Sequence, residues 1–120
     1  MSTLANIVIA IIALMHFWFL ILEMFLWDKP AGRRAFGLTP EFATQSKVLA
    51  ANQGLYNGFL AAGLIWGLIL GNAPESMHVK IFFLACVLVA GLYGGFTATR
   101  KVLWIQAAPA LVGLVLVLLS

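Results

Sequence analysis

His16 and Glu23 stand seven residues apart in the stretch MHFWFLILEMFLW, in which every other residue is apolar. Seven positions are about two helical turns, so the imidazole and the carboxyl share one helix face. The chemistry open to such a pair is proton transfer, since these are the side chains an enzyme or transporter tunes to act near neutral pH. An ionisable group in an apolar helix is costly to keep there, and by default it points to function.

The elements that must position this pair follow from composition. The 120 residues are 63% hydrophobic and 9% charged, with a mean hydropathy of +1.05. A chain this short has no core large enough to hide that much apolar surface, so lipid is the expected solvent. Four apolar segments, 4–27, 48–70, 79–99 and 102–119, each approach the ~20 residues that a helix needs to cross a bilayer. They lack the alternation of strands, and lipid does not tolerate open sheet edges. The expected fold is therefore all-α: a polytopic membrane protein, one domain over residues 1–120, built as a compact bundle of four transmembrane helices. The N-terminus lacks the basic region and small-residue cleavage site of a secretory signal, so it reads as a retained first span.

The connectors carry their own signals. In the first, TPE marks a helix start, with Thr39 as N-cap, Pro40 at the first helical position and Glu41 in the first turn. The rest of that connector reads as turn and breaker residues. Gly71 is placed as a helix stop with Pro74 beyond it, and Arg100 and Lys101 form a third, very tight turn. Lys29, Arg33, Arg34, Lys47, Arg100 and Lys101 flank the first and third loops, against Lys80 alone on the other side. This bias puts those loops in the cytoplasm and both termini on the non-cytoplasmic side of the inner membrane. It also explains the net charge of +3 by attraction to anionic headgroups, with no nucleic acid involved.

Helices associate in lipid by close backbone approach. Gly54, Gly58 and Ala62 form one ridge of the second helix, and Gly63, Gly67 and Gly71 form another on its opposite side. The second helix is thus expected between two neighbours, and Gly91, Gly95 and Thr99 offer a third small ridge on the next helix. Cys86, the single cysteine, lies in an apolar run and reads as a buried, inert thiol.

Counted inward from Trp27 at 1.5 Å per residue, Glu23 lies about 6 Å and His16 about 16 Å below the cytoplasmic interface. Asn52, Gln53, Tyr56 and Asn57 enter from the same side on the second helix. Tyr93 and Thr97 precede Arg100 on the third, and Gln106 follows Trp104 on the fourth. The outer halves of the spans are almost bare of polar groups. A pore needs polar lining from end to end, so a channel is excluded. What remains is a polar pocket open to the cytoplasmic leaflet. His16 and Glu23 are its candidate proton-transfer residues, and Asn52, Gln53, Tyr56, Asn57, Tyr93, Thr97, Gln106 and Arg100 are its candidate lining. The blander account of the amides and hydroxyls is interhelical hydrogen bonding, worth about 0.6–2 kcal/mol each. No metal or cofactor spacing is visible.

The blocks LEMFLW (22–27), FGLTPEF (36–42) and LAANQGLYNGFLAAGL (49–64) resemble those of domain-of-unknown-function family 1304, small bacterial membrane proteins. The likeness spans essentially the whole chain. Glu23, Pro40, Asn52, Gln53, Tyr56 and Asn57 fall within these blocks. The resemblance implies a four-helix inner-membrane architecture and carries no activity with it. Three function classes stay open: a site for an amphipathic small molecule or lipid, a structural or accessory subunit, and a small proton-coupled transporter. Membrane lipids are the expected partners, with a small-molecule ligand and a second copy of the chain as further candidates.

Overall fold

The computed structural model describes residues 3–120, and among these every regular element is helical. Helix α1 covers Thr3–Met24, α2 Pro30–Phe36, α3 Pro40–Ile69 and α4 Pro74–Thr97. A π-helical stretch, Leu103–Ala107, runs directly into α5, Ala108–Leu118. The widened turn has a local cause in Pro109, which lacks an N–H and whose ring would collide with the carbonyl four residues before it. Two helices, α1 and α4, are long and apolar enough to cross a membrane. Helix α3 is longer still at 30 residues, but Asn52, Gln53 and Asn57 lower its hydropathy.

The punctuation read from the sequence is in place. The Thr39 hydroxyl accepts the Phe42 backbone N–H at 3.2 Å and caps α3. Gly71 adopts φ +60° after the end of α3, a left-handed conformation that costs glycine little. The first connector departs from the expected irregular loop, because it holds α2. Pro30 starts this helix, and Gly37, at φ +65°, ends it with the Leu38 N–H bonded to the Arg33 carbonyl at 2.9 Å. The first helix also stops at Met24, three residues short of Trp27, which belongs to the turn.

The chain divides into two compact units. The first comprises the residues up to Ala13 together with Ala62–Ser120. Its core is a stripe of α4 (Ser76, Lys80, Leu84, Val87, Gly91, Gly95) and the buried Ala5, Ile9, Ile12, Leu64, Ala107, Ala110 and Val117. A Cβ on Gly91 would lie 2.7 Å from the backbone nitrogen of Ala107, so α4 and the π-helical stretch touch backbone to backbone, the expected tight hairpin.

The second unit is Leu14–Ala61. Ala43, Ala50, Gly54 and Ala61 form a buried small-residue stripe along α3, and Gly54 and Gly58 let α1 approach. A Cβ on Gly54 would stand 2.8 Å from the Met24 side chain and 3.0 Å from that of Glu23. In the first unit Gly63 and Gly67 face Phe83 and Lys80 of α4 instead. The two glycine ridges of α3 therefore serve different neighbours, as their opposite placement implied.

The α1–α2 turn is fastened to α3. The Trp27 indole N–H donates to the Ser46 hydroxyl at 2.9 Å, its ring packs on Phe36 at 4.8 Å, and Lys47 pairs with Asp28 at 3.1 Å. The hydrogen bond from Lys47 holds the Asp28 carboxyl below the usual carboxylate range. A depressed folded value means that this contribution is complete above the unfolded pKa of about 3.9 and fades as pH falls through the lower folded value. Titration of Asp28 by NMR should place its midpoint below that of a free aspartate, and Lys47→Gln should return it toward normal. An unchanged midpoint in the variant would show that the ion pair is not formed in solution.

Candidate functional site

The site is built on the face that α1 turns inward. Ala5, Ile9, Ile12, His16 and Glu23 recur at helical spacing, and all five are buried. His16 and Glu23 thus share one face, as their seven-residue separation requires. His16 is fully buried, with its ring edge-on to Phe19 at 5.2 Å between centroids. Glu23 keeps 8% exposure, and its Oε1 accepts a hydrogen bond from the Asn57 amide of α3. The pair sits beside Gly54, where the missing side chain brings α3 against Glu23. A carboxyl so placed is desolvated, and the amide supplies the donor that water would otherwise provide.

The polar neighbours on α3 fan away from this contact. At about 100° per residue, Asn57 and Gly54 face α1, while Gln53, Tyr56 and Asn52 follow round the helix. All three of the latter are exposed. Asn52 donates to its own helix through the Val48 carbonyl at 2.9 Å, and Tyr56 packs its ring on Phe59. The second unit therefore brings together Glu23 and Asn57, with Gln53 and Tyr56 on the adjoining open surface.

Tyr93, Thr97, Arg100 and Gln106 belong to the first unit, and most are engaged close to home. Thr97 donates to the Tyr93 carbonyl at 2.6 Å, Arg100 to the Gly95 carbonyl at 2.8 Å, and Gln106 to the Val87 carbonyl at 3.4 Å. Tyr93 is largely exposed.

The 109-residue span 10–118 matches the family model described as protein of unknown function DUF1304. The chain belongs to the DUF1304 family. A relative described as uncharacterized protein YpaA, of Lactococcus lactis subsp. lactis (strain IL1403), is 32% identical over 117 residues, covering 96% of this chain and 97% of that protein. No solved structure matches the chain.

This DUF1304 chain also holds a polar cluster that the sequence reading missed. Lys80, counted there as a loop charge, is fully buried in α4 and donates to the Asn6 side chain at 2.9 Å. Ser76, one turn earlier, is buried and donates to the Gly67 carbonyl at 2.8 Å. The Lys80 stem lies against Gly67. The first unit therefore buries polar groups of its own near the start of α4. The available signal was positional, because Ser76 and Lys80 fall on the same i, i+4 row as Leu84, and Asn6 adjoins the Ala5, Ile9, Ile12 stripe. Cys86 also differs from expectation: it is half-exposed on the outer face of α4, since the buried row runs through Leu84 and Val87.

Proposed function

We propose that this is a multi-pass inner-membrane protein with four spans, formed by α1, α3, α4 and the helix Leu103–Leu118, and with both termini on the non-cytoplasmic side. Within it, Glu23 and Asn57 bind the polar end of an amphipathic small molecule or lipid entering from the cytoplasmic leaflet. The membrane assignment is supported by rows of exposed apolar side chains, among them Leu14 and Phe17 on α1, Phe82 and Val89 on α4, and Val112 and Val115 on α5. The orientation is supported by the burial of Lys80, which leaves the α3–α4 connector without a basic residue of its own. The last helix, at about 24 Å for its apolar stretch, is short of the ~30 Å hydrocarbon, a mismatch that local thinning of the bilayer absorbs.

The observation that carries the ligand reading is the buried carboxyl of Glu23, held by one amide beside the exposed Gln53 and Tyr56. A carboxyl with acceptor capacity to spare selects headgroups that donate hydrogen bonds, such as amines and hydroxyls. In this reading His16, buried two turns along the same face, is the second group of a proton-transfer pair. The test is a thermal-shift series on purified protein with single-chain amphiphiles of matched length bearing amine, hydroxyl or carboxylate heads. The first two should raise the melting temperature of the wild type, and Glu23→Gln should abolish the rise for the amine. Identical profiles for wild type and variant would overturn the reading.

A further inference from the structure

The outer face of α4 carries a shallow open groove of about 560 Å³, lined by Phe82, Ala85, Cys86, Val89, Ala90 and Tyr93. At about 100° per residue these positions fall within a 140° arc, and Phe96 and Thr97 continue the same arc toward the end of the helix. The small side chains lie at the two edges of this arc, Ala85 on one side and Cys86 and Ala90 on the other, with Phe82, Val89 and Tyr93 between them. From Phe82 to Tyr93 the groove runs about 16 Å along the axis. One leaflet of hydrocarbon is about 15 Å deep.

The groove has a charged end. Beyond the last turn of α4 the chain folds Arg100 back along the helix, where its guanidinium donates to the Gly95 carbonyl at 2.8 Å. The same group lies 5.0 Å from the centroid of the Phe96 ring, on the arc of the groove. Arg100 stays exposed and Lys101 follows it. The acidic residue of this unit, Glu75, lies at the opposite end of α4. Along one helix face, then, an apolar furrow the length of an acyl chain gives way to the Tyr93 and Thr97 side chains and then to cationic groups with donors to spare. A guanidinium held by a single carbonyl retains the rest of its planar fork for phosphate oxygens.

We infer that this face of α4 is a binding site for an anionic glycerophospholipid, with one acyl chain in the Phe82–Tyr93 groove and the phosphate on Arg100. The inference shares only the membrane setting with the proposed function and does not rest on Glu23. The groove takes the chain because its lining is apolar and the small Cys86 and Ala90 leave room alongside Phe82 and Tyr93. The headgroup is selected because the cationic end carries no carboxylate of its own to compete. Lys101 adds charge without fixing geometry, as an ammonium on a flexible stem does.

The experiment is native mass spectrometry of the full chain released from bilayers of equimolar phosphatidylglycerol and phosphatidylcholine. The wild type should retain one phosphatidylglycerol in preference to phosphatidylcholine. Arg100→Gln should lower that preference about tenfold, because it removes a charge-assisted hydrogen bond to the phosphate as well as surface charge. Ala90→Phe, which fills the space beside Phe82 and Tyr93 and leaves every charge in place, should lose retained lipid of both kinds. Lys29→Gln removes an equal charge from the other unit and should lower the preference clearly less than Arg100→Gln, since it takes away surface potential without a phosphate contact. No preference in the wild type, or an equal fall in Lys29→Gln and Arg100→Gln, would overturn the site. Spontaneous Cys86–Cys86 cross-linking of the wild type in bilayers, abolished by Ala90→Phe, would overturn it in favour of a second copy of the chain. If Ala90→Phe fails to accumulate, the wild-type preference and the two charge variants still decide the matter.

Discussion

Asn57→Leu should destabilise the protein by about 1–3 kcal/mol, the cost of leaving a buried acceptor without its donor. The effect arises because Glu23 is almost fully enclosed at the Gly54 crossing and takes its hydrogen bond from Asn57. The double variant Glu23→Leu/Asn57→Leu should regain much of that loss, because replacing both partners with apolar groups removes the unsatisfied carboxyl altogether. A double-mutant cycle read by thermal denaturation in detergent measures the coupling. Simple additivity of the two single changes would show that the bond does not contribute. A further variant separates stability from binding, since Glu23→Gln keeps a side chain that can bond Asn57 and should melt close to wild type. Loss of amine binding in that variant at unchanged stability would assign the carboxyl to the ligand.

Gly32→Ala should be the most damaging small substitution in the second unit. A Cβ there would lie 1.9 Å from the Leu26 carbonyl oxygen and 2.8 Å from the Trp27 Cα. These are backbone atoms, so no rotamer change relieves the overlap, and α2 must move off the turn. Overpacking of this kind costs about 1–3 kcal/mol. The displacement should loosen the Trp27–Phe36 packing and the Trp27–Ser46 bond, and it should speed tryptic cleavage after Arg33 and Arg34. Gly37→Ala is the instructive comparison. Its Cβ would meet nothing within 4 Å, so the cost is confined to the left-handed backbone, about 1–2 kcal/mol. Equal cleavage rates in wild type and Gly32→Ala would mean that α2 is not docked as described.

Much of the fold was legible in the residues because the signals were local. Thr39 caps α3 and Gly71 stops it, since a cap and a left-handed turn depend only on a few neighbouring atoms. The shared face of His16 and Glu23 follows from helix periodicity alone, and both prove buried on it. The glycine ridges of α3 face two different helices because nine residues advance a helix by about half a turn. The family, too, was readable from three short blocks of sequence.

Helix α2 was not legible. Its seven residues include Pro30 and Gly32 and are followed by Gly37, all of which read as loop chemistry, and a helix that short exists only because Gly32 lets it seat on Leu26 and Trp27. Lys80 looked like a loop charge near a helix start, yet its stem fills the space left by Gly67 and its ammonium reaches Asn6, 74 residues away in the chain. Tyr56 and Tyr93 are both exposed, Tyr56 against Phe59 and Tyr93 on the outer face of α4, an orientation that their residue type does not disclose. Periodicity determines which residues of a helix lie together, so the sequence by itself settled the faces. How far each helix is rotated toward its neighbours depends on contacts between distant segments, and only the tertiary structure decided which of those faces closes on Glu23 and which one Arg100 overhangs.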